Sequence, residues 1–332
     1  MLAWRVHELG EPATAMRLET VARPDAGPGR LVVRVTGAAA NFPDVLMCRG
    51  LYQVRPELPF TPGVEVCGEV VALGAGVTGF GVGDRVIGGV ALPHGGFAEY
   101  AVLDANQTFP APPALDDAEA AALYIGYQTG WFGLHRRAAL QPGETLLVHA
   151  AAGGVGSAAV QLGKAAGARV IGVVGGPEKA DYARELGADI VIDRRTQDFV
   201  EIVKAATDNR GADVVYDPVG GDTYTRSTKC VAFEGRILVV GFAGGDIQSA
   251  ALNHALVKNY SIVGLHWGLY NTHDRAAVAE CHRELTRLAD DGAIRPLVSE
   301  RLALADVADG VQRLADGKTV GRVVYVAGEP TS

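Results

Sequence analysis

The chain has 332 residues, which is enough for two domains of about 100 to 200 residues each. Hydrophobic residues make up 48% of the chain and charged residues 20%, a composition that excludes intrinsic disorder and predicts a folded protein. The formal net charge of -8 gives no support to nucleic-acid binding, which requires clustered lysine and arginine.

The chain carries no visible membrane or export signal. No uninterrupted apolar run approaches the roughly 20 residues of a membrane span, and the N-terminus begins directly with strand-like residues. We therefore expect a cytoplasmic protein that does not bind membranes. The four cysteines are isolated and form no CxxC pair, which predicts neither a disulfide framework nor a thiolate zinc cluster; they are Cys48, Cys67, Cys230 and Cys281.

The first 120 residues or so have short apolar runs separated by glycine and proline, a texture typical of a β-rich module with many turns. From Thr145 onward, predicted strands alternate with helices, which predicts a parallel, doubly wound sheet of the Rossmann type. The six parallel strands are predicted at residues 145–149, 169–174, 189–192, 213–216, 236–241 and 261–265.

These patterns divide the α/β chain into three parts. Residues 1–123 are predicted to form the β-rich domain and residues 124–266 the Rossmann domain. Residues 267–332 are too few for a third domain, so we expect this C-terminal segment to pack back on the β-rich part.

A glycine-rich turn follows the first predicted strand of the Rossmann domain and leads into a helix, the context that a dinucleotide fingerprint requires. Gly153 and Gly154 allow the backbone to turn tightly and approach a pyrophosphate, and Gly156 allows the helix to pack close to the strand. The first glycine of the usual fingerprint is here Ala151. The helix N-terminus would stabilise the pyrophosphate, so the motif predicts a nicotinamide dinucleotide cofactor.

The end of the second strand indicates which cofactor is bound. An NAD enzyme typically places an acid there to accept from the ribose 2′-hydroxyl, whereas this strand ends in Gly175 and Gly176. The space suits a 2′-phosphate, and Lys179 and Arg194 are candidate cations, although either could be a solvated surface charge. Glu178 opposes this interpretation. We predict NADPH in preference to NADH.

Several segments along nearly the whole chain resemble the zinc-independent quinone oxidoreductases, the branch of the medium-chain dehydrogenase/reductase superfamily that includes zeta-crystallin. The segments that carry the resemblance are NFPDVL at 41–46, LPFTPGVE at 58–65, GVGDRV at 81–86, GGFAEY at 95–100, AAGGVG at 151–156, VVYDPVGG at 214–221 and VVGF at 239–242.

The resemblance implies a GroES-like catalytic domain beside the Rossmann domain, an active site in the cleft between them, and a homodimer joined through the edges of the cofactor-domain sheets. Arg194 stands where relatives often have a tyrosine. By position, the resemblance also implies a set of cofactor contacts: Thr129, Gly153, Gly154, Val155, Gly156, Gly175, Lys179, Arg194, Asp217, Gly241 and Phe242.

The resemblance also argues against a metal. Zinc-dependent alcohol dehydrogenases of this superfamily have a cysteine where this chain has Asn41, and Gly-His-Glu where it has Gly63-Val64-Glu65. Their lobe of four closely spaced cysteines has no counterpart in this sequence. Without thiolate and imidazole ligands a zinc ion has nothing suitable to hold it, so we expect no metal.

Hydride transfer to a quinone or an enone builds negative charge on an oxygen, and hydrogen-bond donors would have to meet it. The candidates are Asn41, whose amide donates two hydrogens, and Tyr52, whose phenol can also deliver a proton. Asp44 could orient them or could serve as a cap or turn residue. Tyr52 matches the proposed proton donor of related enoyl-thioester reductases, but it could also only shape the pocket wall. His149 has no visible serine or cysteine partner, which disfavours a nucleophilic triad.

Three functions therefore fit the sequence. The leading one is NADPH-dependent reduction of a quinone. The second is reduction of an activated carbon–carbon double bond, in an enone or enoyl thioester, with Tyr52 as the proton donor. The third is NADPH binding without turnover, as among the lens crystallins of this branch.

Overall fold

The structure is a computed structural model and describes residues 1–328. The chain forms two compact units. Unit 1 contains Met1–Ile125 together with the described chain from Arg295 onward, and unit 2 contains Gly126–Ile294.

Residues 1–328 contain fourteen strands, numbered in chain order. They are β1 (Leu2–Val6), β2 (Met16–Thr20), β3 (Arg30–Ala39), β4 (Glu65–Leu73), β5 (Arg85–Val90), β6 (Tyr100–Pro110), β7 (Thr145–His149), β8 (Arg169–Val174), β9 (Ile190–Asp193), β10 (Ala212–Asp217), β11 (Val231–Val239), β12 (Ser261–Gly264), β13 (Val298–Leu302) and β14 (Arg322–Val326).

The same residues contain twelve α-helices. They are α1 (Pro12–Ala15), α2 (Phe42–Cys48), α3 (Asp117–Ala121), α4 (Tyr124–Trp131), α5 (Gly154–Ala165), α6 (Pro177–Glu185), α7 (Phe199–Ala206), α8 (Asp222–Ser227), α9 (Leu252–Lys258), α10 (Tyr270–His273), α11 (Arg275–Asp290) and α12 (Val307–Ala315). A π-helix, Phe132–Arg137, continues α4, and 3-10 turns lie at Trp267–Leu269 and Leu304–Asp306.

The sheet of unit 2 has six parallel strands in the order β12-β11-β10-β7-β8-β9. All five residues of β7 are buried, as expected for a strand covered on both faces. This sheet confirms the predicted doubly wound fold. The strand order reverses between β7 and β10, and Val148 pairs with Tyr216, so the two strands end level with each other. Ligands of such sheets bind at the carboxyl ends of the strands on either side of this switch point.

One strand of this sheet starts five residues earlier than predicted. β11 begins at Val231, whereas the sequence pattern placed its start at residue 236. Glu234 has a positive φ of 57° and Gly235 follows it, so the pair interrupts the extended backbone and resembles a turn in the sequence. The strand continues through this irregularity because its two parts both pair with β10.

The sheet of unit 1 has the order β13-β14-β3-β4-β5-β6, and a further pairing of β3 with β6 closes its last four strands on themselves. All pairs are antiparallel except β13 with β14. β14 joins the end of the chain to β3, and α12 packs against α1 and α2. The presence of a β-rich unit and of a unit with a parallel sheet confirms the predicted fold class.

The end of the chain divides differently from the predicted domain limits. Residues 267–294 lie in unit 2, and the chain returns to unit 1 at Arg295. The reason is α11, which buries one apolar face that includes Val278, Cys281 and Leu285. The four cysteines are all free and buried. No helix within the described residues has the length and apolar character needed to cross a membrane.

Candidate active site

The glycine-rich turn lies where β7 ends and α5 begins. Ala150 has a positive φ of 50°, and Gly153 is the N-cap of α5. A Cβ at Gly156 would lie 2.0 Å from the carbonyl oxygen of Ala150, which no side chain can tolerate. The glycine at this position therefore allows the first turn of α5 to approach the end of β7, as the fingerprint predicts.

The N-terminus of α5 presents the features of a pyrophosphate site. No side chain caps α5, and the first-turn N–H groups of a helix lack intrahelical acceptors. Gly154 and Val155 are the first two residues of this turn. Their N–H groups and the positive end of the helix dipole suit an anion.

The predicted contacts Asp217, Gly241 and Phe242 come together on the other side of the switch point. Asp217 is the last residue of β10, is 1% exposed, and accepts the N–H groups of Val219 (2.8 Å) and Gly220 (3.0 Å). Burial raises the pKa of its carboxyl group. A Cβ at Gly220 would lie 2.8 Å from the Phe242 ring, and one at Gly241 would lie 3.4 Å from the Pro218 carbonyl. Asp217 thus shapes the loop after β10.

Thr129 lies buried on α4, a helix that packs on α5. The Gln161 amide donates to the Tyr127 hydroxyl at 2.9 Å, and a Cβ at Gly130 would lie 2.8 Å from a methyl carbon of Leu162. This close approach fixes the position of α4 against α5.

Cations surround the turn between β8 and α6. The Arg194 Nε atom lies 3.4 Å from where a Cβ at Gly175 would stand, so its guanidinium lies over this glycine. Lys179 is half-buried in the first turn of α6, and its pKa is lowered by burial and by the charges of Arg195 and Arg194. The structure therefore brings together the predicted residues Gly175, Lys179 and Arg194, and adds Arg195. The consecutive arginines after β9 were the sequence signal for this addition.

In unit 1 the central polar feature is the fully buried carboxylate of Glu65. One oxygen accepts from Arg322 and from the Asn41 amide, the latter at 2.9 Å, and the other oxygen accepts the Ile125 N–H at 2.7 Å. Arg322 is 4% exposed, so both members of this ion pair are withdrawn from water. Sequence reasoning missed the ion pair, because no local pattern links β4 to β14.

The structure directs the Asn41 amide away from the predicted role. Asn41 is 5% exposed, and its two amide hydrogens are donated to Glu65 and to the Ala39 carbonyl (3.1 Å). An amide whose donors are both engaged within the protein does not donate to a developing oxyanion in this orientation.

Asp44 serves as a capping residue, one of the two roles open from the sequence. Its carboxylate accepts the N–H groups of Asn41 and Gly63, each at 2.8 Å, and thereby ties the start of α2 to the loop before β4. Burial, assisted by Glu65, raises the pKa of Asp44 to about 7 even though these hydrogen bonds act to lower it. Asp44 accepts backbone groups and does not orient the Asn41 amide.

Tyr52 retains an available side chain. It is partly buried against the unit 1 core, and its hydroxyl makes no hydrogen bond within residues 1–328. Burial and the nearby Asp44 charge raise the pKa of its phenol. The phenol is therefore protonated at neutral pH and is able to donate.

A histidine–serine pair lies at the end of β7, although the sequence suggested no partner for His149. The Nε2 atom of His149 is 2.8 Å from the Ser227 hydroxyl, which itself donates to the Thr223 carbonyl. Nε2 must then be the donor, so the ring does not withdraw the serine proton. Burial lowers the pKa of His149 to about 3, and the ring packs edge-on against Phe199. The pair is structural and not a nucleophile with its base.

Within residues 1–328, no group of three or more histidine, cysteine, aspartate and glutamate residues has an arrangement able to hold a metal ion. At the position of the superfamily's cysteine ligand, the Asn41 amide is bonded to Glu65.

Comparison with known proteins gives matches along most of the chain. Residues 27–113 match the family described as alcohol dehydrogenase GroES-like domain, and residues 154–283 match the family described as zinc-binding dehydrogenase. The chain is 40% identical over 320 residues to the quinone oxidoreductase-like protein 2 homolog of Nematostella vectensis, covering 96% of this chain and 87% of that protein.

Solved structures resemble it over the same extent. The quinone oxidoreductase of Escherichia coli complexed with NADPH is 31% identical, with a TM-score of 0.91 and coverage of 98% of this chain and 100% of that one. The quinone oxidoreductase of Pseudomonas syringae is 33% identical, with a TM-score of 0.90 and coverage of 98% and 99%. The CurK enoyl reductase is 26% identical, with a TM-score of 0.87 and coverage of 98% of both chains.

Replacing Arg322 by methionine should destabilise the protein, because it leaves the Glu65 carboxylate buried without its cation. Breaking a buried ion pair in this way typically lowers the free energy of unfolding by about 3–5 kcal/mol. The loss is measured by thermal or urea unfolding. Arg301→Met, which breaks the exposed pair with Asp116, is the matched control and should change stability far less. Equal stability of Arg322→Met and wild type would contradict a central role for the pair.

Proposed function

We propose that this chain, which belongs to the quinone oxidoreductase branch of the medium-chain dehydrogenase/reductase superfamily, transfers a hydride from NADPH to a quinone. The observation that carries the proposal is the pairing of a dinucleotide turn with a group of cations in unit 2. The Escherichia coli relative complexed with NADPH supports the same cofactor.

The residues of unit 2 fit this cofactor. The first-turn N–H groups of α5 suit the pyrophosphate, and Gly156 leaves no side chain in the way of the helix. Lys179 and Arg194 carry the charges that a 2′-phosphate requires. Three further proposed contacts lie on the other side of the switch point: Asp217, Gly241 and Phe242. Thr129 lies on α4, the helix that packs against α5. The remaining proposed contacts, Gly153, Gly154, Val155 and Gly175, belong to the two turns themselves.

When bound, NADPH supplies the hydride, and a proton completes the conversion of the quinone to a hydroquinone. Of the three catalytic candidates, we propose that Tyr52 acts directly, because its hydroxyl is protonated and makes no hydrogen bond within the described residues. It would donate a hydrogen bond to the oxygen on which charge develops and deliver the proton there. Asn41 and Asp44 would contribute by fixing α2, which leads into the Tyr52 loop.

We propose that this chemistry proceeds without a metal. The side chain that replaces the zinc ligand is an amide committed to a carboxylate, a donor set that does not suit zinc.

A second candidate is reduction of an activated carbon–carbon double bond. The similarity to the CurK enoyl reductase favours it, and so does the available phenol of Tyr52, since the carbanion or enolate formed by hydride addition needs a proton donor. NADPH binding without turnover is the third possibility that the assays must separate.

We also propose that the protein is a homodimer joined through unit 2. β12 is an outermost strand of the six-stranded sheet, and an unpaired edge is a ready surface for pairing with a second copy. The neighbouring helix α9 has no buried residue, and its Leu252, Leu256 and Val257 are at least 73% exposed. Contiguous exposed apolar residues of this kind mark association surfaces, and a two-fold axis would bring the same patch together twice.

Oxidation of NADPH by p-benzoquinone or phenanthrenequinone, followed by nicotinamide absorbance, should be rapid. Oxidation of NADH by the same quinones should be slow. The expected preference for NADPH is at least tenfold, since a phosphate held by charged hydrogen bonds contributes about 1.4 kcal/mol or more. A simple enone and crotonyl-CoA are assayed in parallel. Turnover confined to these two would favour double-bond reduction, and tight NADPH binding without any turnover would favour the non-catalytic alternative.

Tyr52→Phe removes the phenolic proton donor while keeping the ring. We expect kcat for enone reduction to fall by about a hundredfold or more, the range typical of general acid catalysis, with a smaller loss for quinones. Tyr100→Phe, on β6 of the same unit, is the control. Wild-type activity of Tyr52→Phe toward both substrate classes would show that the ring only shapes the pocket.

Leu256→Asp should convert the dimer to a monomer, because it places a charge on the exposed apolar face of α9. Light scattering coupled to size exclusion measures the mass. Val82→Asp, at an equally exposed apolar residue of unit 1, should leave the dimer intact. A wild-type protein that is monomeric at micromolar concentration would refute the proposed assembly.

A further inference from the structure

The turn between β8 and α6 is covered by two arginine side chains from the loop after β9. A Cβ at Gly176 would lie 2.9 Å from the Nη1 atom of Arg195, and a Cβ at Gly175 would lie 3.4 Å from the Nε atom of Arg194. The two guanidinium groups therefore occupy the space over both glycines. Gly176 also has a φ of 113°, which strongly favours glycine there.

Hydrogen bonds to backbone groups hold the loop that carries both arginines against the turn. One carboxylate oxygen of Asp193, the last residue of β9, accepts the N–H of Gly176 at 2.9 Å and that of Arg195 at 3.0 Å. The N–H of Arg194 donates to the Val174 carbonyl at 3.0 Å. Asp193 thereby holds the start of α6 and the arginine loop together.

The side chains of Arg194 and Arg195 are not committed to another group in the described part of the chain. Within residues 1–328, neither the Arg194 nor the Arg195 guanidinium forms a hydrogen bond or an ion pair. Arg184 and Arg226, on helices α6 and α8, by contrast each pair with an aspartate. Lys179 lies close enough for both arginines to lower its pKa, and Arg195 has the larger effect of the two. Three positive charges thus lie together at the end of β8, with Glu178 and Asp193 as the nearby acids.

We propose that Arg195 is a specificity-determining ligand of the NADPH 2′-phosphate, acting together with Lys179 and Arg194. This inference rests on the proposed NADPH dependence and assigns a residue to it. A phosphate monoester carries nearly two negative charges and three acceptor oxygens, which suit a planar guanidinium fork better than a ribose hydroxyl does. NADH, which lacks this phosphate, would offer no 2′-anion to the two arginine side chains.

The test compares adenosine 2′,5′-bisphosphate with 5′-AMP in titration calorimetry, so it needs no quinone and no turnover. Arg195→Gln should weaken binding of the bisphosphate by about tenfold or more and leave 5′-AMP binding unchanged. The exposure of Arg195 makes a folding defect unexpected, and circular dichroism verifies the fold. Arg184→Gln, on α6 and paired with Asp181, is the matched control and should bind both nucleotides as wild type does.

Two contrary results have different meanings. If the wild type prefers the bisphosphate and Arg195→Gln keeps the full preference, the role of Arg195 is wrong while the proposed NADPH dependence stands. If the wild type itself binds the two nucleotides equally, the NADPH dependence fails and the role of Arg195 fails with it. Arg195→Lys, which keeps the charge but not the fork, should lie between the wild type and Arg195→Gln.

Discussion

The arrangement of unit 1 depends on the buried carboxylate of Glu65. A charged group without partners at such a depth would destabilise the fold by several kcal/mol, so its partners must be present together. Arg322 reaches it from a strand 257 residues further along the chain, Asn41 from the start of α2, and Ile125 through its backbone N–H. One carboxylate therefore joins the C-terminal strand, the central sheet and the last residue of the unit's first segment.

This arrangement also decides which polar side chains remain for chemistry. Asn41 donates both amide hydrogens to acceptors within the protein. Asp44 accepts the N–H of Asn41 with one carboxylate oxygen and the N–H of Gly63 with the other. These residues hold the start of α2 in place, and the loop that carries Tyr52 follows this helix. A preorganised support is a common requirement for a positioned proton donor, which is the role proposed for Tyr52. The segment from Asn41 to Tyr52 thus combines structural residues with the residue proposed to donate the proton.

The sequence predicted the parallel sheet closely because each of its strands is a short, nearly continuous apolar run. β7 and β8 have the predicted limits, whereas β11 was shortened because Glu234 and Gly235 resemble a turn. The glycine-rich turn could also be predicted, because its residues are contiguous in the sequence and the glycines meet local steric requirements. The Glu65–Arg322 ion pair could not be predicted, because a contact between residues so distant in sequence produces no local sequence pattern. For the same reason the sequence does not reveal that Glu65 accepts a hydrogen from the Asn41 amide.

The proposed phosphate-binding residues of unit 2 and the Glu65 network of unit 1 differ in how the sequence encodes them. The proposed binding of phosphate groups relies on backbone N–H groups, on the absence of Cβ atoms and on nearby cations, all of which lie within short stretches of unit 2. Even there, position in the family points to Arg194 but not to its neighbour Arg195. Successive side chains of a strand point to opposite faces, which would allow only one of them to reach the turn. β9 ends at Asp193, however, so that rule no longer holds for the two arginines. Asp193 instead holds the loop so that both guanidinium groups lie over consecutive glycines.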